Sequence, residues 1–157
     1  MTSRLRVQSA ILLILSLLPP SFLFTIPKAS ATVNVEQVAT GLEAPWSIAF
    51  ANDGTIYVPE RPGRIRVIRQ GVLQPSPVAT ISVRAVPGDE SGLLGLTLDP
   101  DFDSNRLVYI YYTYTDPQGQ ILNRISRLPE NNGQLGDEQF LLDGIKGASI
   151  HDGGRLK

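Results

Sequence analysis

The sequence predicts an all-β fold built from two similar units of four short strands each. Short apolar runs alternate with turn signals, and glycine and proline are frequent, at 14 and 12 residues. No long amphipathic helical pattern interrupts them. With 42% hydrophobic and 18% charged residues, the composition is that of a globular chain. A length of 157 residues would ordinarily make one domain.

The first 31 residues have the pattern of a secretory signal peptide. Two arginines precede an apolar run over residues 10–18, and Ala29–Ala31 matches a small-residue cleavage site. A membrane anchor is the alternative, but Pro19-Pro20 interrupts the run well short of the roughly 20 apolar residues that a span needs. We therefore expect cleavage after Ala31, a folded domain over residues 32–157, a periplasmic or secreted product and no stable membrane anchor.

Composition also narrows the chemistry of the predicted domain. The leader takes three of the 14 basic residues and none of the 15 acidic ones, which leaves a net charge of about −4 and argues against nucleic acid as a partner. The sequence contains no cysteine. Disulfides, thiolate metal sites and lipid attachment at the cleavage site are therefore excluded.

The first unit is predicted to contain four strands separated by the Asn52-Asp53-Gly54 hairpin signal and a Pro62-Gly63 turn. The strands cover residues 46–50, 55–58, 64–68 and 77–82. Pro59 lacks the N–H that a ladder needs, so the second strand should end there or bulge. The arginines at positions 64, 66 and 69 are expected on a solvated face.

The second unit repeats this order with strands over residues 92–98, 107–115, 121–127 and 139–142. The strand 107–115 is apolar or aromatic on both alternating faces, which predicts cover on both sides. Aligning Phe50 with Leu98 gives a repeat of about 48 residues, within the roughly 40 to 50 of propeller blades. A third unit is predicted to begin at Ile150 or Leu156. The strand signals alone fit a two-sheet sandwich equally well.

One acidic stretch resembles the start of a calcium loop, Asp99-x-Asp101-x-Asp103-x-Asn105. Ser104 stands where such a loop needs glycine, and Ile110 stands where it needs a bidentate glutamate. We interpret the stretch as an acidic turn, and no metal-ligating residue is predicted in the chain.

His151 is the only histidine of the sequence. An imidazole, with an ordinary pKa of roughly 6.5, can take and return a proton near neutral pH. The alternative is a half-buried histidine whose ring bonds a backbone carbonyl. Ser149 and Asp152 do not complete a hydrolytic triad with it, because groups so close in one extended segment alternate faces. The sequence contains no glycine-rich nucleotide-binding motif.

Several segments, in order, carry a family resemblance. They are Val38-Ala-Thr-Gly-Leu42, Ala44-Pro-Trp-Ser-Ile-Ala-Phe50, Asp53-Gly-Thr-Ile-Tyr-Val58, Glu60-Arg-Pro-Gly-Arg-Ile65, Gly92-Leu-Leu-Gly-Leu96 with Asp99-Pro-Asp-Phe102, and Ser149-Ile-His-Asp-Gly-Gly-Arg-Leu156. Together they resemble the N-terminal part of the soluble glucose/sorbosone (aldose sugar) dehydrogenases, which use pyrroloquinoline quinone (PQQ). The resemblance implies a six-bladed β-propeller, of which this chain would supply about two blades plus the start of a third and would be truncated at its C-terminus.

The resemblance also implies cofactors and roles. The complete protein would use PQQ and calcium, with most of their ligands beyond residue 157, and would act on a small-molecule sugar with an electron acceptor. His151 would be the general base that takes the sugar hydroxyl proton, and Glu90 would contact sugar hydroxyls. Arg155 is a possible cofactor contact, or it could pair with a carboxylate between blades. Asp89 and Glu90 could equally form an ordinary solvated loop.

Two departures from the family pattern concern the substrate. The glucose enzymes have an amide where this chain has Glu90, so the side chain can only accept hydrogen bonds when ionised. They have an acidic residue where this chain has Ile150. The sequence thus predicts a fragment of a dehydrogenase that oxidises a sugar hydroxyl by hydride transfer to the quinone and is inactive alone. The alternative is a non-catalytic propeller of the same superfamily that binds a ligand or partner.

Overall fold

Two antiparallel sheets carry the fold in the computed structural model, which describes residues 33–157. The predicted signal peptide and its cleavage site lie outside the described residues. The first sheet contains β1 (Ala49–Phe50), β2 (Ile56–Pro59), β3 (Arg64–Arg69), β4 (Val72–Leu73) and β5 (Ala79–Thr80). Strands β1 to β4 follow one another in sequence order across the sheet, and β5 also pairs with β3.

The second sheet repeats this meander with longer strands. It contains β6 (Leu93–Leu98), β7 (Leu107–Thr115), β8 (Ile121–Asn131), β9 (Gln134–Leu135) and β10 (Gln139–Lys146), in the order β6-β7-β8-β10, with β9 paired to β8. A one-turn helix, α1 (Phe102–Asn105), stands between β6 and β7. No helix in residues 33–157 is long and apolar enough to cross a membrane.

The turn residues explain where the first strands begin and end. Gly54 takes a φ of 83°, which a side chain would disfavour, and the Asp53 carboxylate accepts the N–H of Thr55 at 2.8 Å. Strand β2 ends at Pro59, which pairs with Ile65, as its missing N–H predicts. The predicted hairpin and the predicted strand end are both confirmed.

The core lies between the two sheets within the compact unit Glu36–Lys157. Apolar side chains of β2 and β3 meet those of β6 and β7 there, among them Tyr57, Ile65, Val67, Leu93 and Ile110. The Tyr57 ring meets the Phe102 ring edge-on, with 5.9 Å between centroids. On β7, Val108, Ile110 and Tyr112 are buried, and Tyr109 and Tyr111 on the other face are half-buried. The predicted cover on both faces of this strand is confirmed.

The arginines of β3 depart from the expected solvated face. Glu60 is fully buried and accepts hydrogen bonds from Arg64 Nε and from the backbone N–H of Glu43, each at 2.6 Å. Arg66, whose side chain is 12% exposed, lies 3.7 Å from the same carboxylate. The prediction was wrong here because a carboxylate from the neighbouring turn draws both guanidinium groups inward.

The third unit does not form a strand within the described residues. Residues 147–157 contain no assigned helix or strand. They fold back beside β6, where Gly154 lies against Leu94 and Gly95. His151, Gly153 and Gly154 have φ values of 64°, 70° and 100°, which an extended strand does not adopt.

Candidate active site

The structure brings Glu90 and His151 together. The Glu90 side chain accepts the backbone N–H of His151 at 2.8 Å, with Oε2 as the acceptor. The backbone N–H of Glu90 donates to the carbonyl of Ser149 at 2.8 Å. The loop before β6 and the segment after β10 are thus joined by two hydrogen bonds that flank the predicted general base.

His151 itself is exposed and has an unusual backbone. Its φ of 64° lies in the left-handed region, which costs a non-glycine residue of order 1–3 kcal/mol and needs support from its surroundings. The backbone N–H of His151 donates a hydrogen bond to Glu90, and the imidazole forms no hydrogen bond with residues 33–157. The half-buried histidine bonded to a backbone carbonyl is therefore not what the structure contains.

Asp89, the neighbour of Glu90, is buried and anchors the loop. Its carboxylate accepts the hydroxyl of Ser91 at 2.6 Å and a guanidinium N–H of Arg84 at 2.9 Å, and its carbonyl accepts Arg61 at 2.7 Å. Burial raises the pKa of Asp89, but the Ser91 hydrogen bonds and the Arg84 charge outweigh it, so the pKa lies below its ordinary value. The two acidic neighbours therefore differ: Asp89 holds the loop, and Glu90 is exposed and faces His151.

Two glycines allow the last segment to approach β6. A Cβ added to Gly95 would stand 2.0 Å from the carbonyl oxygen of Gly154. Gly154 has a φ of 100°, and a Cβ there would stand 2.7 Å from that of Leu94. Only glycine fits at both positions. This contact gives a structural reason for the Gly-Leu-Leu-Gly and Gly-Gly motifs of the sequence.

Arg155 lies beside a groove of about 740 Å³. The groove runs between the first residues of the two sheets and the last segment, and its walls include Trp46, Phe50, Arg155 and Lys157. Arg155 is exposed and forms no ion pair with another residue of 33–157, so the alternative of a carboxylate partner is not seen in this part of the chain. The walls also include the carboxylates Asp99 and Asp103, so the groove carries both charges, and neither Glu90 nor His151 is part of its lining.

The acidic stretch after β6 is a closed turn. The Asp99 carboxylate accepts the Tyr109 hydroxyl at 2.6 Å, the Asn105 amide at 2.8 Å and the backbone N–H of Asp101 at 2.9 Å. The Tyr109 hydrogen bond, followed by that of Asn105, lowers the pKa of Asp99. Residues 33–157 contain no cluster of histidine, aspartate and glutamate side chains able to hold a metal. The acidic-turn interpretation agrees with this geometry.

Comparisons with known proteins identify the family. Residues 42–157 match the family model described as Glucose / Sorbosone dehydrogenase. The chain belongs to the glucose/sorbosone dehydrogenase family. The match confirms the resemblance carried by the sequence motifs.

Family relatives with known structures share the fold. The chain is 32% identical to the PQQ-bound aldose sugar dehydrogenase of Streptomyces coelicolor, with a TM-score of 0.66 over 77% of this chain and 36% of that one. It is 25% identical to the apo-form of the soluble aldose sugar dehydrogenase of Escherichia coli, with a TM-score of 0.71 over 80% of this chain and 38% of that one. The two sheets are blades of the predicted β-propeller, and the sandwich alternative is wrong.

A curated family relative gives the same extent. The aldose sugar dehydrogenase YliI of Escherichia coli K12 is 29% identical over 133 residues, which are 82% of this chain and 36% of the relative. The chain thus spans about a third of the length of the relatives it matches.

Sequence reasoning missed the groups that hold the histidine segment. Asp152 is buried and bonds to Thr113 and Asn123, and its carbonyl accepts the Tyr111 hydroxyl. The pattern offered one signal, which is that Thr113 and Asn123 are polar residues inside predicted strands. Their pairing with Asp152 depends on how the last segment folds back, which no local pattern predicts.

Proposed function

We propose that this chain is the N-terminal part of a PQQ-dependent sugar dehydrogenase that oxidises a sugar hydroxyl. The observation that supports the proposal most is the junction of Glu90 and His151, the two residues to which the family resemblance assigns substrate contact and proton removal. Exposed His151 and the Glu90 carboxylate that accepts its backbone N–H bring a base and an acceptor into one loop region, and the hydroxyls of a sugar need both. The relatives named above are aldose sugar dehydrogenases, which supports this substrate class.

The resemblance gives Arg155 a possible contact with PQQ, a planar quinone that carries three carboxylates, and the exposed Arg155 side chain could pair with one of them. The groove beside Arg155 also contains Asp99 and Asp103 and does not contain Glu90 or His151, so the groove by itself is not proposed as the quinone site. Bound PQQ would supply the hydride acceptor. The His151 imidazole would take the hydroxyl proton at a ring nitrogen, and Glu90 would accept a hydrogen bond from a neighbouring sugar hydroxyl through its second oxygen. Calcium is also part of the proposal, with its ligands supplied by residues beyond 157.

The proposal includes location and extent. The leader pattern over residues 1–31 supports export to the periplasm or the medium with cleavage after Ala31. N-terminal sequencing of the exported protein tests this, and a mature protein that still begins at Met1 would contradict it. Because the site would be incomplete and sheet edges would stay open, the 157-residue chain is expected to be inactive by itself.

The test of function is dye-linked aldose oxidation by the complete protein with added PQQ and calcium. We expect turnover that depends on PQQ. In the complete protein, His151→Ala should abolish turnover and leave PQQ binding, followed by absorbance, nearly intact. If the complete protein binds PQQ or a sugar but never oxidises the sugar, the non-catalytic propeller is the better description. Equal loss of turnover and PQQ binding in His151→Ala would assign the histidine a structural role.

A further inference from the structure

Asp152 follows His151 directly, but its side chain turns inward and is shielded from solvent. The residue is 8% exposed. Its Oδ1 accepts the backbone N–H of Ala148 at 2.7 Å and the Asn123 amide at 3.4 Å, and its Oδ2 accepts the Thr113 hydroxyl at 3.3 Å. The hydrogen bond to Ala148 closes residues 148–152 into a loop, and the other two attach the loop to the sheet.

The backbone of Asp152 is held from the same sheet. The Tyr111 hydroxyl donates to the Asp152 carbonyl at 2.7 Å. Burial raises the pKa of Tyr111, and the charge of Asp152 adds to this, so the hydroxyl keeps the proton that it donates. Tyr111 and Thr113 share one face of β7, and Thr113 pairs with Asn123 on β8. Three side chains on one face of two central strands thus converge on a single residue.

The loop needs this attachment because its backbone is unusual. His151 has a φ of 64°, and Gly153 and Gly154 follow with values of 70° and 100°. A histidine does not stay in the left-handed region unless neighbouring contacts hold it there. Glu90 supplies one contact on the exposed side, through the N–H of His151. On the buried side of the loop, Asp152 is the one residue of 148–152 whose side chain forms hydrogen bonds within the described residues.

We propose that Asp152 is the positioning residue of His151, fixing the 148–152 loop on β7 and β8 so that the imidazole faces the substrate. The proposal rests on the proposed function for the meaning of that orientation. Asp152 does not touch substrate, because its carboxylate is buried and already bonded to Ala148, Thr113 and Asn123. It acts through the backbone of its neighbour, and the shape of the side chain matters more than its charge.

The test compares Asp152→Ala and Asp152→Asn in the complete protein with PQQ and calcium. Asparagine keeps an oxygen for the Ala148 N–H and an amide for Thr113, whereas alanine keeps neither. We expect Asp152→Ala to lower kcat about 100-fold, as expected for a small misplacement of a reacting group, and to change the affinity for PQQ less than about threefold. Asp152→Asn should retain kcat within about fivefold.

Hydrogen exchange of the loop gives a readout that does not depend on turnover. The amides of residues 148–151 should exchange about tenfold faster in Asp152→Ala than in the wild type, and near the wild-type rate in Asp152→Asn. Glu130→Gln is the matched control, because Glu130 is also a buried acid that accepts hydrogen bonds, from Arg106 and Gly133, and lies outside the loop. It should change neither kcat nor exchange in residues 148–151.

Each other outcome overturns the proposal. Unchanged exchange in Asp152→Ala would mean that the loop is held by other contacts. Equal losses of kcat in Asp152→Ala and Asp152→Asn would mean that charge, and not position, is what Asp152 provides. An equal loss in Glu130→Gln would mean a general loss of stability. If the wild-type protein shows no PQQ-dependent turnover, the proposed function fails, and the exchange measurement still decides whether Asp152 holds the loop.

Discussion

The Glu90 carboxylate accepts the backbone N–H of His151 at 2.8 Å, although 61 residues separate the two in the sequence. This contact uses one oxygen of the carboxylate, and the other oxygen accepts no hydrogen bond from residues 33–157. Glu90 can therefore hold the histidine loop with one oxygen and, under the proposed function, accept a hydrogen bond from a sugar hydroxyl with the other. An amide at this position could hold the same N–H and would in addition donate to the sugar.

Replacing Glu90 should separate these two tasks. Glu90→Ala should speed hydrogen exchange of the His151 amide about tenfold, because one hydrogen bond of ordinary strength is lost. Glu90→Gln keeps an acceptor oxygen and should change the exchange less than about threefold while altering the preference among aldoses. Hydrogen exchange and a comparison of kcat/KM across several sugars measure the two effects. Equal exchange in both variants would show that the brace is unimportant.

Gly95→Ala should displace the last segment. The new Cβ would stand 2.0 Å from the Gly154 carbonyl, a backbone atom that cannot rotate away. We expect a loss of about 1–3 kcal/mol in the free energy of unfolding and faster exchange in residues 153–156. Gly136→Ala is the control, since its Cβ would stand 3.3 Å from Pro129 Cγ, and it should cost less than about 1 kcal/mol. Urea unfolding compares them, and equal costs would contradict the close approach.

The buried Glu60 should be a strong determinant of stability. Glu60→Ala leaves Arg64 and Arg66 without the carboxylate that they share, and we expect a loss of about 3–5 kcal/mol in the free energy of unfolding. Glu43, whose side chain is 65% exposed, is the other partner of Arg64. Glu43→Ala should cost less than about 1 kcal/mol in the free energy of unfolding, because an exposed ion pair contributes little. Urea unfolding of both variants checks the contrast. Similar losses would mean that burial does not distinguish the two acids.

Asp143 should contribute to stability only above acidic pH. Hydrogen bonds from Arg124, then from Tyr114, lower the pKa of Asp143 to about 2. Because the folded pKa lies below the unfolded value of roughly 3.9, the contribution is present above about pH 5 and is lost as the pH falls from about 4 to 2. The measurement is the thermal midpoint of unfolding (Tm) as a function of pH. In Asp143→Asn the Tm should fall less steeply between about pH 4 and pH 2 than in the wild type.

The control for Asp143 is Asp137→Asn. Asp137 is exposed and forms no ion pair with the residues of 33–157, so its replacement should leave the fall of Tm at acidic pH unchanged. The guanidinium of Arg124, the partner of Asp143, also lies over the rings of Tyr114 at 4.2 Å and Phe140 at 3.7 Å. If both variants lose the fall of Tm at acidic pH, the pH dependence comes from carboxylates in general and not from Asp143.

Strand order and turns were predictable because they depend on neighbours in the chain. The strand over residues 107–115 has the predicted bounds, since alternating apolar residues and flanking turn residues act locally. The two-residue strands β4 and β9 were missed, because they consist of few residues and are defined only by pairing with β3 and β8. The prediction for the β3 arginines was wrong for a related reason. Arg64 and Arg66 turn inward because the turn between β2 and β3 brings the buried Glu60 carboxylate next to them, and this is a tertiary contact.

The sequence by itself determined the repeat of strands and the family motifs, and it named His151 and Glu90 as candidate site residues, because residue type and order carry that information. Only the tertiary structure decided that Glu90 holds the backbone of His151 and that Asp152 turns into a buried pocket of Thr113, Asn123 and Tyr111. These contacts join residues that lie 29 to 61 positions apart. Their geometry follows from how two sheets pack and how glycines let the last segment approach, which no stretch of sequence contains alone.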